Sequence, residues 1–313
     1  QAARDCATAE GNLDLSENGY AKIFELGINS PEVLFAVEFK SSVIDHAYDA
    51  YVRPSGDTKE LGKQVYSGFV PTSELVDSYE MAGDGGNFSW EKYGKDPYAN
   101  REPRFYATIL YNGADWMGRK IESFVGGKDG YKAYENAGAA GTTVTGYYLR
   151  KYLIDGDKTW VTSGSGQDWI VLRYAEVLLN KAEALAMENW NKNSAEALQA
   201  LNDVRARVGL PARATADKET FLEYVRHERK VELAGEGFRY WDLRRWRLAE
   251  KVIDGQNVHG VKISKQSDGS FTYEQVDADG GHKRIFYDRY YRFAIPLSER
   301  SNNSLCTNND GWI

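Results

Sequence analysis

One eleven-residue stretch, Glu236-Gly237-Phe238-Arg239-Tyr240-Trp241-Asp242-Leu243-Arg244-Arg245-Trp246, limits the folds open to this chain more than any other. It packs four large aromatics and five charged side chains around one glycine, directly after a charged run containing Glu228, Arg229, Lys230 and Glu232. Such a mixture is costly to bury unless arginines and carboxylates pair and aromatic rings cover the pairs. It therefore predicts a built junction, where a helix end is fixed against another layer.

The rest of the chain supplies that helix. Ile170, Tyr174, Val177, Leu178, Ala182 and Leu185 recur at steps of three and four, which predicts a helix over residues 168–189. Ser194 is placed to cap a second helix over residues 195–208, with Leu198, Leu201 and Val204 on one face and Gly209-Leu210-Pro211 as its stop. Ala175, Ala182, Ala184, Ala195 and Ala197 permit close helix contact. The pair forms a tetratricopeptide-like helical hairpin, which needs neighbours to cover its apolar face. A third helix over residues 217–234 leads into the junction.

Residues 1–160 are loop-rich. Short helices are expected over residues 2–10, 19–24 and 71–79, and strands over residues 32–39 and 104–111. Glycines and prolines break residues 82–103, and residues 126–146 are glycine-rich. Residues 255–290 look like hairpins, and residues 290–296 like a final short strand. The fold class is thus mainly α with a loop-rich, short-strand layer.

With 313 residues and 42% hydrophobic content the chain can build a substantial core. Its 46 acidic and 39 basic residues leave a net charge of −7 without an isolated basic run, which argues against nucleic acid as a partner. Cys6 and Cys306 stand near opposite ends, so a disulfide joining the termini and two free thiols both stay open. No signal segment opens the chain, and no apolar run approaches the roughly 20 residues of a spanning helix.

Four segments now fall in order: Leu172 to Ala184, Leu201 to Leu210, His227 to Trp246, and Tyr291 to Arg300. With Val70 to Asp77, Asn100 to Phe105 and the Asn308 to Trp312 ending, they closely resemble the C-terminal part of SusD/RagB-like proteins, the outer-membrane nutrient-binding lipoproteins of Bacteroidetes. The resemblance implies a single SusD-like region, with a ligand-binding layer over residues 1–160, a helical unit and junction over 168–250, and hairpins and tail over 251–313. Glu228, Arg229, Glu232, Glu236, Gly237, Arg239, Asp242, Arg245 and Trp246 carry its structural signature. It further implies a glycan-binding protein on the external face of the outer membrane that delivers oligosaccharide or polysaccharide to a SusC-like TonB-dependent transporter. Family members begin with a lipidated cysteine and a helical block, which this chain is expected to enter late. Ala3-Arg4-Asp5 lacks the apolar lipobox that would make Cys6 the lipidated residue, so any lipid anchor lies outside the sequence.

No catalytic or metal site is expected, and no cofactor. Glu228, Glu232, Glu236 and Asp242 sit among arginines, which keep carboxylates ionised where a general acid needs the reverse. The four histidines lack ligand spacing; position 231 is Val where a zincin helix carries His. Sugar recognition suits the loops better, because sugars pair apolar faces with hydroxyl edges. Trp90, Trp116 and Trp160 are the expected stacking residues, with Asn112, Asp115 and Arg119 to orient hydroxyls and Tyr93 as a further ligand contact. For each of these a loop-anchoring role competes with a ligand role. Two rival functions also stand: a helical-repeat interaction scaffold without direct glycan binding, and a glycoside hydrolase.

Overall fold

The computed structural model describes residues 19–136 and 142–312. The helices over Tyr174–Ala206 and Lys218–Glu232 form its longest elements. The first is two helices joined at Asn189, whose backbone leaves the helical region (φ −162°, ψ 95°). Asn189 Oδ1 accepts the Lys192 amide at 3.2 Å, so Asn189 caps the second helix in place of Ser194. Ala175, Ala182 and Ala197 are buried as the close-packing reading requires, joined by Ala186 and Ala200, whereas Ala184 and Ala195 are exposed. Leu179, Leu201, Val204, Phe221, Leu222 and Val225 fill the space between hairpin and third helix. Asp217 caps that third helix by accepting from the Thr220 amide at 2.8 Å.

The first helix of the pair starts at Tyr174 and not at residue 168. Trp169–Arg173 is a strand, antiparallel to Val33–Val37 with Phe35 opposite Leu172 and Val37 opposite Trp169. An aromatic and β-branched run with a pairing partner takes the strand state despite its helical spacing. The reverse happens at residues 104–111: Pro103–Thr108 is a helix with Pro103 in its first turn, and only Ile109–Leu110 is a strand. The helical turn directs Arg104 inward to three carboxylates. Gly19–Leu26 and Ser73–Val76 are helices as expected. His259–Lys265 and Phe271–Asp277 form the expected hairpin, paired from His259↔Asp277 to Lys265↔Phe271. The expected helix over residues 2–10 and Cys6 lie outside the described residues.

Residues 290–296 contain no strand. Asp288–Tyr291 is a 3-10 turn, and the segment's backbone is satisfied by the tail. The Trp312 indole donates to the Arg289 and Arg292 carbonyls, Asn309 donates to Phe293, and Asn308 accepts from Ile295.

The junction is an ion-pair lattice. Arg104 bridges Glu102, Glu228 and Glu232; Arg173 bridges Glu32, Glu232 and Glu236; Arg205 bridges Glu80 and Glu228; Arg207 bridges Glu32 and Glu232. Lys151, from the loop layer, joins Glu236 at 2.6 Å. All of these side chains are buried. Burial alone would raise Glu232, but Arg207, Arg173 and Arg104 outweigh it and hold its carboxyl well below the usual range. Burial also lowers Lys151 to about 8 against the pull of Glu236. Gly237, at φ +87°, provides the left-handed turn into Phe238–Arg245. Beyond it Asp242 pairs with Arg229 and Arg245, and Glu183 takes Arg245 and the Trp246 indole. Burial lowers the Arg239 guanidinium, which Asp242 partly offsets. Trp241 departs from the expected covering role: it is 55% exposed.

Candidate functional site

The seven expected glycan residues divide between two places. Trp116 and Trp160 are core side chains, 0% and 2% exposed. The fully buried Arg53 guanidinium lies 5.2 Å from each indole ring and pairs with Asp49 at 2.8 Å. The Trp116 N–H donates to Asp57 at 3.0 Å. Trp116, enclosed in this way, has no face for a sugar and is corrected from a stacking platform to a wall of an arginine box; Trp160 is the opposite wall and also lines a depression of about 490 Å³ with Asp45, His46 and Lys63. Arg119 extends the same structure, gripping Asp57 at 2.7 Å and Asp129 at 2.6 Å. Burial would lower its guanidinium, but these two carboxylates hold it above its ordinary range. Asn112 is buried, so it too is set apart from ligand; Asp115 is exposed and paired with Lys120 at 2.7 Å.

Trp90 and Tyr93 lie elsewhere. Trp90 is half-buried, and its N–H donates to Asp77 at 2.8 Å. With Tyr273, Gln275, Glu91, Lys92 and Lys95 it lines a cleft of about 600 Å³. Tyr93 stacks on Phe88 at 5.9 Å, with the Lys92 ammonium 4.8 Å from its ring.

A second aromatic surface was not anticipated. The Tyr48–Val52 helix turns Tyr51 outward, and the following loop is tied back onto it: Tyr66 N–H donates to Ala50 and Gly68 N–H to Tyr51, both at 2.7 Å. This lays Tyr66 on Tyr51, with ring centroids 5.1 Å apart and planes 25° apart. Phe69 meets Tyr51 edge-on at 6.3 Å. Tyr51, Tyr66 and Phe69 are 45%, 43% and 64% exposed. Behind them Phe39, His46, Tyr48 and Trp169 line an apolar depression of about 360 Å³.

Polar groups border it. His46 and Ala47 also line a depression of about 490 Å³ with Asp45, Lys63 and Ser165, and Phe39 lines one of about 350 Å³ with Lys40, Ser41, Thr159 and Gln167. His46 Nδ1 accepts the Tyr48 amide at 3.2 Å, so Nε2 carries the proton and donates to the Gln167 carbonyl at 2.8 Å. The imidazole is fixed in one tautomer and one orientation. The density of Phe35, Phe39, Tyr48, Tyr51, Tyr66 and Phe69 within residues 35–69 was the available sequence signal. The rings come from a strand (Phe35), a short helix (Tyr48 and Tyr51) and the segments between, so no single periodicity links them.

The carboxylates weighed for acid–base chemistry face the core. Glu228 is held by Arg104 and Arg205, and Asp242 by Arg229 and Arg245. No described helix is long and apolar enough to cross a membrane.

A helical hairpin clamped by buried ion pairs to a loop-rich, short-strand layer defines a mainly helical fold class, and solved structures match its fold. A SusD-like protein from Bacteroides fragilis matches with a TM-score of 0.75 at 25% identity, over 99% of this chain and 61% of its own. A SusD-like carbohydrate binding protein from the same species matches with a TM-score of 0.71 at 25% identity, over 96% of this chain and 62% of its own. The chain therefore spans about three fifths of these relatives' length. SusD-like protein P38 of Formosa agariphila is 32% identical over 133 residues, 39% of this chain and 25% of that protein. The SusD family profile matches residues 31–312, and the chain belongs to the SusD family.

Proposed function

We propose that this chain binds carbohydrate without breaking bonds, at the external face of an outer membrane, and passes it to a SusC-like TonB-dependent transporter. The observation that carries the reading is the Tyr51–Tyr66–Phe69 surface beside polar depressions. Stacked, exposed rings offer apolar faces to the C–H side of a sugar, while Asp45 and Lys63 offer hydroxyl partners. The carbohydrate-binding relative from Bacteroides fragilis supports it, as does a surface glycan-binding protein A from Bacteroides thetaiotaomicron of the same fold. Family membership supports the transporter as partner and the outer membrane as location. Trp90 and Tyr93 are retained as secondary ligand contacts.

A polysaccharide panel in affinity gels tests this. Retarded migration on at least one polysaccharide is expected, with no release of reducing sugar. A protein-docking scaffold is the second reading, favoured by Val43 and Ile44, 68% and 63% exposed, which offer a sugar no hydrogen bond. Inertness across the panel together with stable co-purification of the transporter would decide for the scaffold.

A further inference from the structure

The Trp90 cleft has an unusual back wall. Asp77 takes the indole N–H on Oδ2 at 2.8 Å, but its other oxygen, Oδ1, is buried without a hydrogen-bond partner. The hydroxyls of Tyr98 and Tyr147, in side chains 6% and 0% exposed, interact with each other and lie close enough to Asp77 to feel its charge, but neither donates to it. Buried polar atoms are normally paired, so a buried carboxylate oxygen with no partner needs a reason.

The neighbouring cations do not supply partners. Arg101 directs its terminal N–H groups to the carbonyls of Pro97, Val76 and Tyr79, leaves Nε without a partner, and is stacked between Phe88 and Phe105. Lys230 donates to the Glu74 carbonyl and the Ser78 hydroxyl. Glu74, on Asp77's own helix, is engaged by His259 at 2.5 Å. Tyr273, from the Phe271–Asp277 strand, closes the group by packing edge-on to Tyr98 at 5.6 Å. Asp77 thus holds a neutral donor with one oxygen and nothing with the other.

We propose that Asp77 is the positioning residue of this cleft: its carboxylate fixes the Trp90 ring through the indole N–H, and ring presentation follows the protonation state of that carboxyl. A charged acceptor makes the stronger bond to the indole, and a protonated one weakens it. Protonation also removes the charge from a carboxyl whose Oδ1 has no donor to stabilise it. Burial is the main force on this group and lifts it to about 6; Trp90, Arg101 and Lys230 pull it down, and Glu74 pushes it up. The switch therefore falls in the mildly acidic range. Its bearing on ligand rests on the carbohydrate reading, but the coupling itself is a property of the unliganded chain.

The test is the indole region of a ¹H–¹⁵N spectrum of the unliganded chain between pH 4.5 and 8, with Trp90 assigned through Trp90→Phe. The Trp90 Hε1 resonance is expected to titrate with a midpoint near 6, and Asp77→Asn is expected to abolish that titration. A flat Trp90 resonance, or a titration that survives in Asp77→Asn, overturns the proposal. If Asp77→Asn does not fold, Trp90→Phe serves in its place. Losing the indole donor should move the Asp77 carboxyl ¹³C midpoint upward, and an unmoved midpoint overturns the proposal equally. Neither result depends on whether any glycan binds, so failure here is separable from failure of the carbohydrate reading.

Discussion

Tyr51 and Tyr66 stack at 5.1 Å while each keeps close to half of its surface in solvent. Rings packed only for the core would lose that exposure. The backbone bonds that tie residues 66–69 to the Tyr48–Val52 helix hold the pair in register without ligand, so little ordering remains to be done on binding. Tyr51→Ala and Tyr66→Ala should each weaken retention on the bound polysaccharide about tenfold, the equivalent of roughly 1.4 kcal/mol. Stability should move by no more than about 0.5 kcal/mol at such exposed sites. Affinity gels beside thermal melts check both halves, and full retention in the double variant would remove this surface from the binding site.

Trp116→Ala should behave in the opposite way. The ring is fully buried, encloses Arg53 and bonds Asp57. Its loss leaves a large cavity beside a buried guanidinium, a cost of about 3–5 kcal/mol. Urea denaturation is the measurement. A Trp116→Ala variant with an unchanged midpoint and lost glycan retention would restore Trp116 as a stacking platform.

The contrast between these residues shows what the sequence could reveal. Helical periodicity is a property of neighbours along the chain, so Ala182, Leu201 and Val204 were legible as buried positions, although the fully buried leucine proved to be Leu179 and not the expected Leu178. The ion-pair lattice was legible in kind, because Glu228, Glu232 and Glu236 stand beside arginines. Its partners Arg104, Lys151 and Glu32 were not, since they arrive from distant segments. Whether a loop tryptophan faces sugar or arginine depends on such arrivals. Arg53 comes to Trp116 from a distant segment and decides the outcome. Tyr51 and Tyr66 escaped notice for the same reason: only a loop folded back onto a helix brings them together.

The lattice sets a pH dependence of stability. Glu232, Glu80 and Glu32 are buried, yet their arginines, joined at Glu80 by His227, hold them below the ordinary carboxylate range. Unfolded, each takes up its proton near pH ~4.3, while folded it does so only at lower pH. Their contribution is therefore fully present above that value and is lost as pH falls through the folded values. Arg173→Leu should cost about 3–5 kcal/mol at neutral pH, because Glu232 and Glu236 lose a shared partner inside the core. Urea midpoints from pH 7 down to 3 measure this. A variant as stable as the parent at pH 7 would show that the lattice contributes nothing net.

Asp77 carries the opposite sign. Its folded value, raised to about 6, lies above the ordinary 3.8, so between these the folded state binds a proton that the unfolded chain has released. Through this group alone, stability rises as pH falls from about 6 toward 4, and at neutral pH the buried charge is a cost. Asp77→Asn keeps an oxygen for the Trp90 N–H and removes the charge. It should be more stable than the parent by about 1–2 kcal/mol at pH 7.5, below the ceiling a two-unit shift allows. The advantage should shrink to about a third of that value near pH 4.5, and vanish only below the ordinary 3.8. Paired urea titrations at the two pH values give the difference directly, and a constant difference would mean that the Asp77 carboxyl does not titrate in this range.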